Sequence, residues 1–203
     1  INKLKKSIIP IYEPGLSELV KKNYKSGRLS FTTNLSEAIK NSQVIFICVG
    51  TPTKKKSNAA DLSQVFNVAK EIGKFIKSFK IIVTKSTVPV TTGDKIEKIL
   101  LKNAKRKNFS VISNPEFLRE GDAINDFFFP DRIVIGTSDK RTNKLMYSLY
   151  APLLSKGAKY VNSSRRGAEL IKYASNAFLA TKITFINELA NLSEKIGVNI
   201  EDI

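Results

Sequence analysis

Two carboxylates stand four residues apart in Asn114-Pro115-Glu116-Phe117-Leu118-Arg119-Glu120-Gly121, directly after the apolar run Phe109–Ile112. A carboxylate held within reach of water or a substrate hydroxyl can act as a general base. The backbone amides from Phe117 to Glu120 can hold a substrate phosphate, in the manner of helix N-termini. The alternative is two solvated glutamates on one helical turn. A second pair, Lys172 and Asn176, also stands four residues apart, within Glu169-Leu170-Ile171-Lys172-Tyr173-Ala174-Ser175-Asn176. On a helix that spacing shares a face, and a cation and an amide aimed together can stabilise an oxyanion. A solvated polar face is the alternative there, although Ala174, Ala177 and Phe178 set the pair beside apolar neighbours. Two weaker motifs follow other apolar runs. In Val49-Gly50-Thr51-Pro52-Thr53 the glycine admits a ligand to the backbone and the threonine hydroxyls can donate to phosphate or ribose oxygens. In Lys85-Ser86-Thr87-Val88-Pro89-Val90 a cation and two hydroxyls suit a polar ligand. Each of these two can equally be a tight turn or a helix cap.

The elements that must position these groups alternate. Val44–Val49, Ile81–Thr84, Phe109–Ile112, Arg132–Gly136 and Ala158–Val161 are short, rich in β-branched residues and bounded by turn residues, as buried parallel strands are. A weaker strand signal lies at Leu29–Thr32. Asn34 with Glu37 predicts a capped short helix. Asp61 predicts the cap of a helix whose apolar stripe runs Leu62, Val65, Val68, Ala69, Ile72, Phe75 and Ile76. Further helices are predicted at Thr92–Lys105 and Asp139–Tyr150. From Gly167 to Ile196 the apolar spacing predicts one helix far longer than the usual 11 to 12 residues or so, of the kind that bridges domains or builds dimers. Strand and helix in alternation predict an α/β, doubly wound parallel sheet, with active-site loops at the carboxyl ends of the strands.

Composition narrows the chemistry. Among 203 residues there is no histidine, which excludes His-based triads and His-ligated metal sites. The net charge of +16 is spread along the chain, with Lys54-Lys55-Lys56 its nearest cluster. It reads as attraction for anionic ligands rather than a nucleic-acid surface. The one cysteine, Cys48, lies inside the apolar run Val44–Val49 and is expected in the core. A single cysteine allows no intrachain disulfide and points to a reducing cytoplasm. No apolar run approaches the roughly 18 residues of a membrane span.

Taken together, the motifs resemble the UDP-glucose/GDP-mannose dehydrogenase family, and among its members most closely the UDP-glucose 6-dehydrogenases. The pieces that carry the resemblance occur in family order: Glu13-Pro14-Gly15-Leu16, Val49-Gly50-Thr51-Pro52, Ala60-Asp61-Leu62, Lys85-Ser86-Thr87-Val88-Pro89, Asn114 to Gly121, Phe129-Pro130-Asp131-Arg132, and Glu169 to Phe178. The resemblance implies oxidation of a sugar C6 alcohol to an acid with two NAD, through a thiohemiacetal and a thioester on a cysteine. It implies that Thr87 binds an active-site water near the nicotinamide and that Glu116 is the base for thioester hydrolysis. Lys172 and Asn176 would steady oxyanions, and Phe117, Leu118, Arg119 and Glu120 would line the sugar nucleotide. Val49, Gly50, Thr51 and Pro52, with Ser86, Thr87 and Glu120, would lie against NAD. Residues 1–163 would form a Rossmann-type NAD-binding domain without its first elements, and residues 164–203 a connecting helix through which a homodimer forms.

Two departures stand out. The family's opening Gly-x-Gly-x-x-Gly turn is absent, since no two glycines lie closer than Gly157 and Gly167. Its nucleophilic cysteine lies beyond the long helix, and Cys48 is in the wrong element to replace it. The chain therefore reads as an internal fragment that is not expected to turn over alone. Two rival readings are a GDP-mannose or UDP-N-acetyl-hexosamine 6-dehydrogenase, and a non-catalytic nucleotide-binding remnant.

Overall fold

The computed structural model describes every residue except Ser7 and Lys56, so the third lysine of the Lys54–Lys56 cluster lies outside the described residues. Three helices, α1 (Asn2–Lys5), α2 (Leu16–Lys25) and α3 (Leu35–Asn41), precede β1 (Val44–Ile47). Then come α4 (Ser63–Phe75), β2 (Lys80–Thr84), α5 (Thr92–Asn103) and β3 (Phe109–Ser113). The chain continues through α6 (Ala123–Phe128), β4 (Arg132–Gly136), α7 (Lys140–Leu154), β5 (Lys159–Ser163) and α8 (Arg165–Ile196). The strands form one sheet in the order β1-β2-β3-β4-β5. Its core divides by side-chain alternation along β2. Ile82 packs with Val65, Ile72, Ile96 and Leu100 of α4 and α5. Ile81 and Val83 point the other way, to Met146, Tyr150 and Leu153 of α7. Helices on both faces bury β2 completely, as its unbroken apolar run requires.

Three expectations change. Leu29–Thr32 is irregular, and the first strand stops at Ile47. The sheet is not wholly parallel: β1, β2 and β3 run together, β4 is antiparallel to β3, and β5 follows β4 in parallel. The connection between β3 and β4 contains only the six-residue α6 and stays at the carboxyl end of β3. The chain thus re-enters from the end it left. β4 pairs with β3 at its own last residue, Ser113↔Gly136; earlier along β4, Asn114 Nδ2 donates to the Val134 carbonyl at 3.0 Å and the Arg132 guanidinium lies over the Phe117 ring. Third, the loop after β3 has no regular secondary structure from Asn114 to Arg119, so Glu116 and Glu120 do not share a helical turn.

Capping follows the sequence closely. Asn34 accepts the Glu37 N–H at 3.2 Å, and Asp139 accepts the Arg141 N–H at 3.0 Å. Asp61 accepts the Ser63 N–H at 2.9 Å, although Leu62 occupies the cap position itself. Buried Lys80 closes the far end of α3, with Nζ donating to the carbonyls of Lys40 and Ser42. The 32-residue α8 starts at Ser164, whose hydroxyl accepts the Gly167 N–H at 3.0 Å, and ends at Gly197, whose φ is 73°. Its first turn lies against Gly136, where an added Cβ would fall 2.6 Å from Ala168 Cβ. Arg165 ties that turn to α5 through Asp94 (2.5 Å) and Glu97 (2.8 Å) and donates to the Val111 carbonyl at 3.1 Å. Burial alone would raise both carboxyls. The Arg165 hydrogen bonds outweigh it and hold Asp94 and Glu97 below their ordinary values.

One buried group is unsatisfied. Thr84 Oγ1, at the end of β2, has no hydrogen-bond partner among the described residues, and Thr84 is fully buried. Thr84→Val keeps the shape and removes the stranded hydroxyl, so it should raise stability by about 1 kcal/mol. A thermal unfolding comparison checks this, and a lower unfolding temperature would show that the hydroxyl has a partner in solution.

Candidate active site

The carboxyl ends of β1, β2 and β3 converge, and side chains stitch their loops together. Lys85 N–H donates to the Ile47 carbonyl at 3.0 Å, Ser86 Oγ to the Val49 carbonyl at 2.6 Å, and Thr51 Oγ1 to the Thr87 carbonyl at 2.9 Å. The Thr51 and Ser86 hydroxyls therefore hold protein rather than face a ligand. Thr87 keeps its hydroxyl without a partner among the described residues, on the wall of a cavity of about 250 Å³ lined also by Cys48, Val49, Gly50 and Thr51. Pro52 lies off that wall, with its carbonyl accepting the Asp61 N–H at 2.7 Å. A second cavity, of about 230 Å³, is lined by Asn114, Glu116, Phe117, Leu118, Arg132 and Tyr150, among others. Lys85 and Glu116 line both.

Charge concentrates at that shared wall. Lys172 reaches in from α8, with Nζ 3.1 Å from Glu116 Oε1, and its side chain is only 9% exposed. Glu116 Oε2 accepts the Leu118 N–H at 2.6 Å. The Phe117 ring lies beneath two cations, Arg132 at 4.5 Å and Lys172 at 5.1 Å. Lys85 Nζ is 3.5 Å from Asn114 Oδ1, which also accepts from the Tyr150 hydroxyl at 2.5 Å. Burial pushes the Lys85 ammonium below its ordinary value, against the pull of Cys48 and Glu116. Burial also lifts the Tyr150 hydroxyl to about 12, so it donates its proton to Asn114 throughout the physiological range.

The structure treats the predicted residues unequally. Glu116, Phe117, Leu118, Lys172 and Thr87 come together around the two cavities. Glu120 is exposed and lines neither cavity. Asn176 is exposed one turn beyond Lys172, and its side chain makes no hydrogen bond among the described residues. Arg119 lines the second cavity, but its guanidinium is folded onto Asp122 and Asp126 at 2.7 Å each. The amide run is partly filled, since Leu118 N–H serves Glu116 and Arg119 N–H serves Asp126 at 2.8 Å. A phosphate there would meet two carboxylates. Cys48 is exposed, one residue past the end of β1, and not in the core. Its thiol end is still partly buried, which pushes the thiol up, with Lys85 pulling it down. The apolar run hid this because it outlasts the strand.

Four contributors were not assigned from sequence. Asn114 and Tyr150 brace the loop after β3. Glu13 accepts the N–H groups of Gly121 (3.1 Å) and Ala123 (2.8 Å) and fixes the loop's far end. Glu169 accepts the N–H groups of Thr91 and Gly93 at 2.7 Å each. Only Glu169 carried a local signal, since it is three residues from Lys172 and shares its helix face.

The residues present fit one end of a dinucleotide cofactor. The first cavity offers a free hydroxyl at Thr87 and open space beside Gly50, where an added Cβ would meet nothing within 4 Å. It is smaller than the roughly 300 Å³ at which ligand pockets begin.

Comparison with known proteins agrees with this geometry. Residues 1–154 match the pattern of the UDP-glucose/GDP-mannose dehydrogenase family, NAD binding domain, and residues 166–203 match the central domain of the same family. A UDP-glucose 6-dehydrogenase of Rhizobium meliloti is 53% identical over 205 residues, covering 100% of this chain and 47% of its own length. A GDP-mannose dehydrogenase structure from Pseudomonas aeruginosa superimposes with a TM-score of 0.94 at 38% identity, over 100% of this chain and 47% of its own. A UDP-glucose dehydrogenase structure from Pyrobaculum islandicum gives a TM-score of 0.93 at 41% identity, over 98% of this chain and 46% of its own. The chain spans about half the length of the relatives it matches. On matches that run through both domains, the chain belongs to the UDP-glucose/GDP-mannose dehydrogenase family.

Proposed function

We propose that the full-length protein oxidises the C6 alcohol of UDP-glucose to the acid, with NAD as cofactor and UDP-glucuronate as product. The observation that carries this reading is the Lys172–Glu116 ion pair, 3.1 Å long, on the wall between two cavities. One cavity suits the reacting end of NAD and the other the sugar. Identities of 44–53% to relatives named UDP-glucose 6-dehydrogenases support the substrate. When bound, NAD takes up the hydride equivalents of the oxidation.

The roles of this chain's residues follow from their places. Lys172 carries positive charge toward an oxygen developing charge at C6, and Glu116 receives a proton at a carboxylate oxygen when water attacks. Asn176, one turn on, joins Lys172 once a ligand or a further segment covers that exposed face. Thr87 holds a water at the cofactor end through its free hydroxyl. Val49, Gly50 and Thr51 give backbone contacts to NAD, with Ser86 bracing them and Pro52 and Glu120 at the periphery. Phe117, Leu118 and Arg119 wall the sugar side. We assign residues 1–163 to the NAD-binding domain and residues 164–203 to a connecting helix. Apolar side chains exposed along α8, including Phe178 (67%), Phe185 (61%) and Ile183 (54%), support a homodimer through that helix. Among the described residues no helix is long and apolar enough to cross a membrane. With a single unpaired cysteine, this supports our placing the activity in the cytoplasm.

The test is NADH formation by the full-length protein with UDP-glucose, GDP-mannose and UDP-N-acetylmannosamine in parallel. UDP-glucose should give by far the highest kcat/KM, with two NADH per sugar consumed, and the sample should sediment as a dimer or larger. Preference for another sugar nucleotide would reassign the substrate, and binding without NADH formation would leave a non-catalytic module.

A further inference from the structure

Glu169 is 2% exposed, the least of the buried ionisable groups, against 4% for Lys80 and 7% for Lys172. No cation lies within ion-pair distance of it among the described residues. Its two oxygens accept the N–H groups of Thr91 and Gly93, each at 2.7 Å, at the start of α5. A carboxylate can satisfy both N–H groups, and the helix end favours its charge. Thr91 has a φ of 78° and is the only non-glycine residue with positive φ among the described residues. That left-handed conformation is unfavourable for a β-branched side chain and persists only where surrounding contacts impose it.

These bonds close one end of a loop whose other end is already fastened. Lys85 and Ser86 donate to the Ile47 carbonyl, and Ser86 Oγ to the Val49 carbonyl. Between the fastened ends lies Thr87, whose carbonyl is held by Thr51 and whose hydroxyl faces the cavity. One turn along α8 from Glu169, Lys172 reaches Glu116, which lines the same cavity as Thr87.

We infer that Glu169 is a positioning residue for the oxidation. It clamps the Lys85–Thr91 loop in a strained conformation, so that Thr87 stays registered against Glu116, and it does so from the helix that places Lys172. This rests on the function proposed above, in which Thr87 meets the cofactor end.

The experiment compares the full-length protein with Glu169→Gln and with Glu169→Gln/Thr91→Gly. Amide exchange at residues 91 and 93 is measured alongside kcat and both KM values. Glutamine keeps the volume and one acceptor oxygen, so exchange at one of the two amides should rise at least about tenfold. KM for NAD should rise and kcat should fall, each roughly tenfold, with KM for UDP-glucose within about twofold. Glycine adopts the left-handed conformation without strain, so the double variant should recover part of the loss in KM for NAD. If the single variant does not fold, the double variant carries the same exchange measurement at Gly93. Unchanged exchange and unchanged KM for NAD overturn the proposal. So does a loss shared equally by all parameters that follows the unfolding temperature and is not recovered by Thr91→Gly. A full-length wild type that forms no NADH sinks the proposed function alone, because amide exchange still decides whether the clamp exists.

Discussion

Lys172→Ala in the full-length protein is expected to lower kcat by about 10²- to 10³-fold, the usual cost of removing one preorganised oxyanion donor. Several features put the effect at the upper end. The ammonium is 9% exposed and 3.1 Å from Glu116, so its charge acts where water screens poorly. Its removal also leaves the Glu116 carboxylate without its ion-pair partner on the wall of both cavities. Lys172→Met separates charge from packing, since it keeps an unbranched apolar side chain at this buried position and removes only the ammonium over the Phe117 ring. Methionine should lose as much turnover as alanine while unfolding at close to the wild-type temperature. Near-normal NADH formation by either variant would remove this helix face from the mechanism.

Gly136→Ala should produce the second large effect, this time on stability and activity together. A Cβ there would lie 2.6 Å from Ala168 Cβ, 2.9 Å from Arg165 Cα and 3.0 Å from the Ser164 carbonyl oxygen. Two of these are backbone atoms of the helix start and cannot rotate away. The first turn of α8 must back off from β4, at a cost of about 1–3 kcal/mol for overpacking. The same retreat draws Glu169 and Lys172 from their partners, so activity should fall further than folded fraction alone explains. Adding Ala168→Gly removes one contact and leaves the backbone contacts, so it should restore part of the unfolding temperature and not all of it. Full restoration would place the strain in the Ala168 side chain alone.

How much of this was legible in the sequence depended on the range of each interaction. Asn34 and Asp139 announced their helices because a cap bonds two or three residues away. The Ile81, Phe109 and Arg132 runs announced strands because burial on both faces needs unbroken apolar residues. Direction was another matter. Nothing in Arg132–Gly136 says that β4 runs antiparallel to β3, since an antiparallel strand buried on both faces has the composition of a parallel one. The glutamates at 116 and 120 were readable as a pair, yet the irregular loop leaves them with different fates, and only Glu116 lines the cavities. Thr51 and Ser86 were readable as hydroxyls near a ligand and not as stitches between loops, because their acceptors lie 36 and 37 residues away. Glu13 shows the limit plainly, since its partner Gly121 is 108 residues distant.

The length of α8 has a mechanical meaning. At 1.5 Å per residue its 32 residues make a rod of about 48 Å. Its buried residues include Ala168, Glu169 and Lys172 near the start, and Ser193 close to the far end. Such a rod is a pointer with Lys172 near its base: a tilt of about 5° about that base sweeps the tip through roughly 4 Å. The gearing also works in reverse, since whatever grips the tip to within an ångström fixes the base angle to about one degree. Whatever seats on the distant end of α8 therefore sets the precision with which Lys172 meets Glu116.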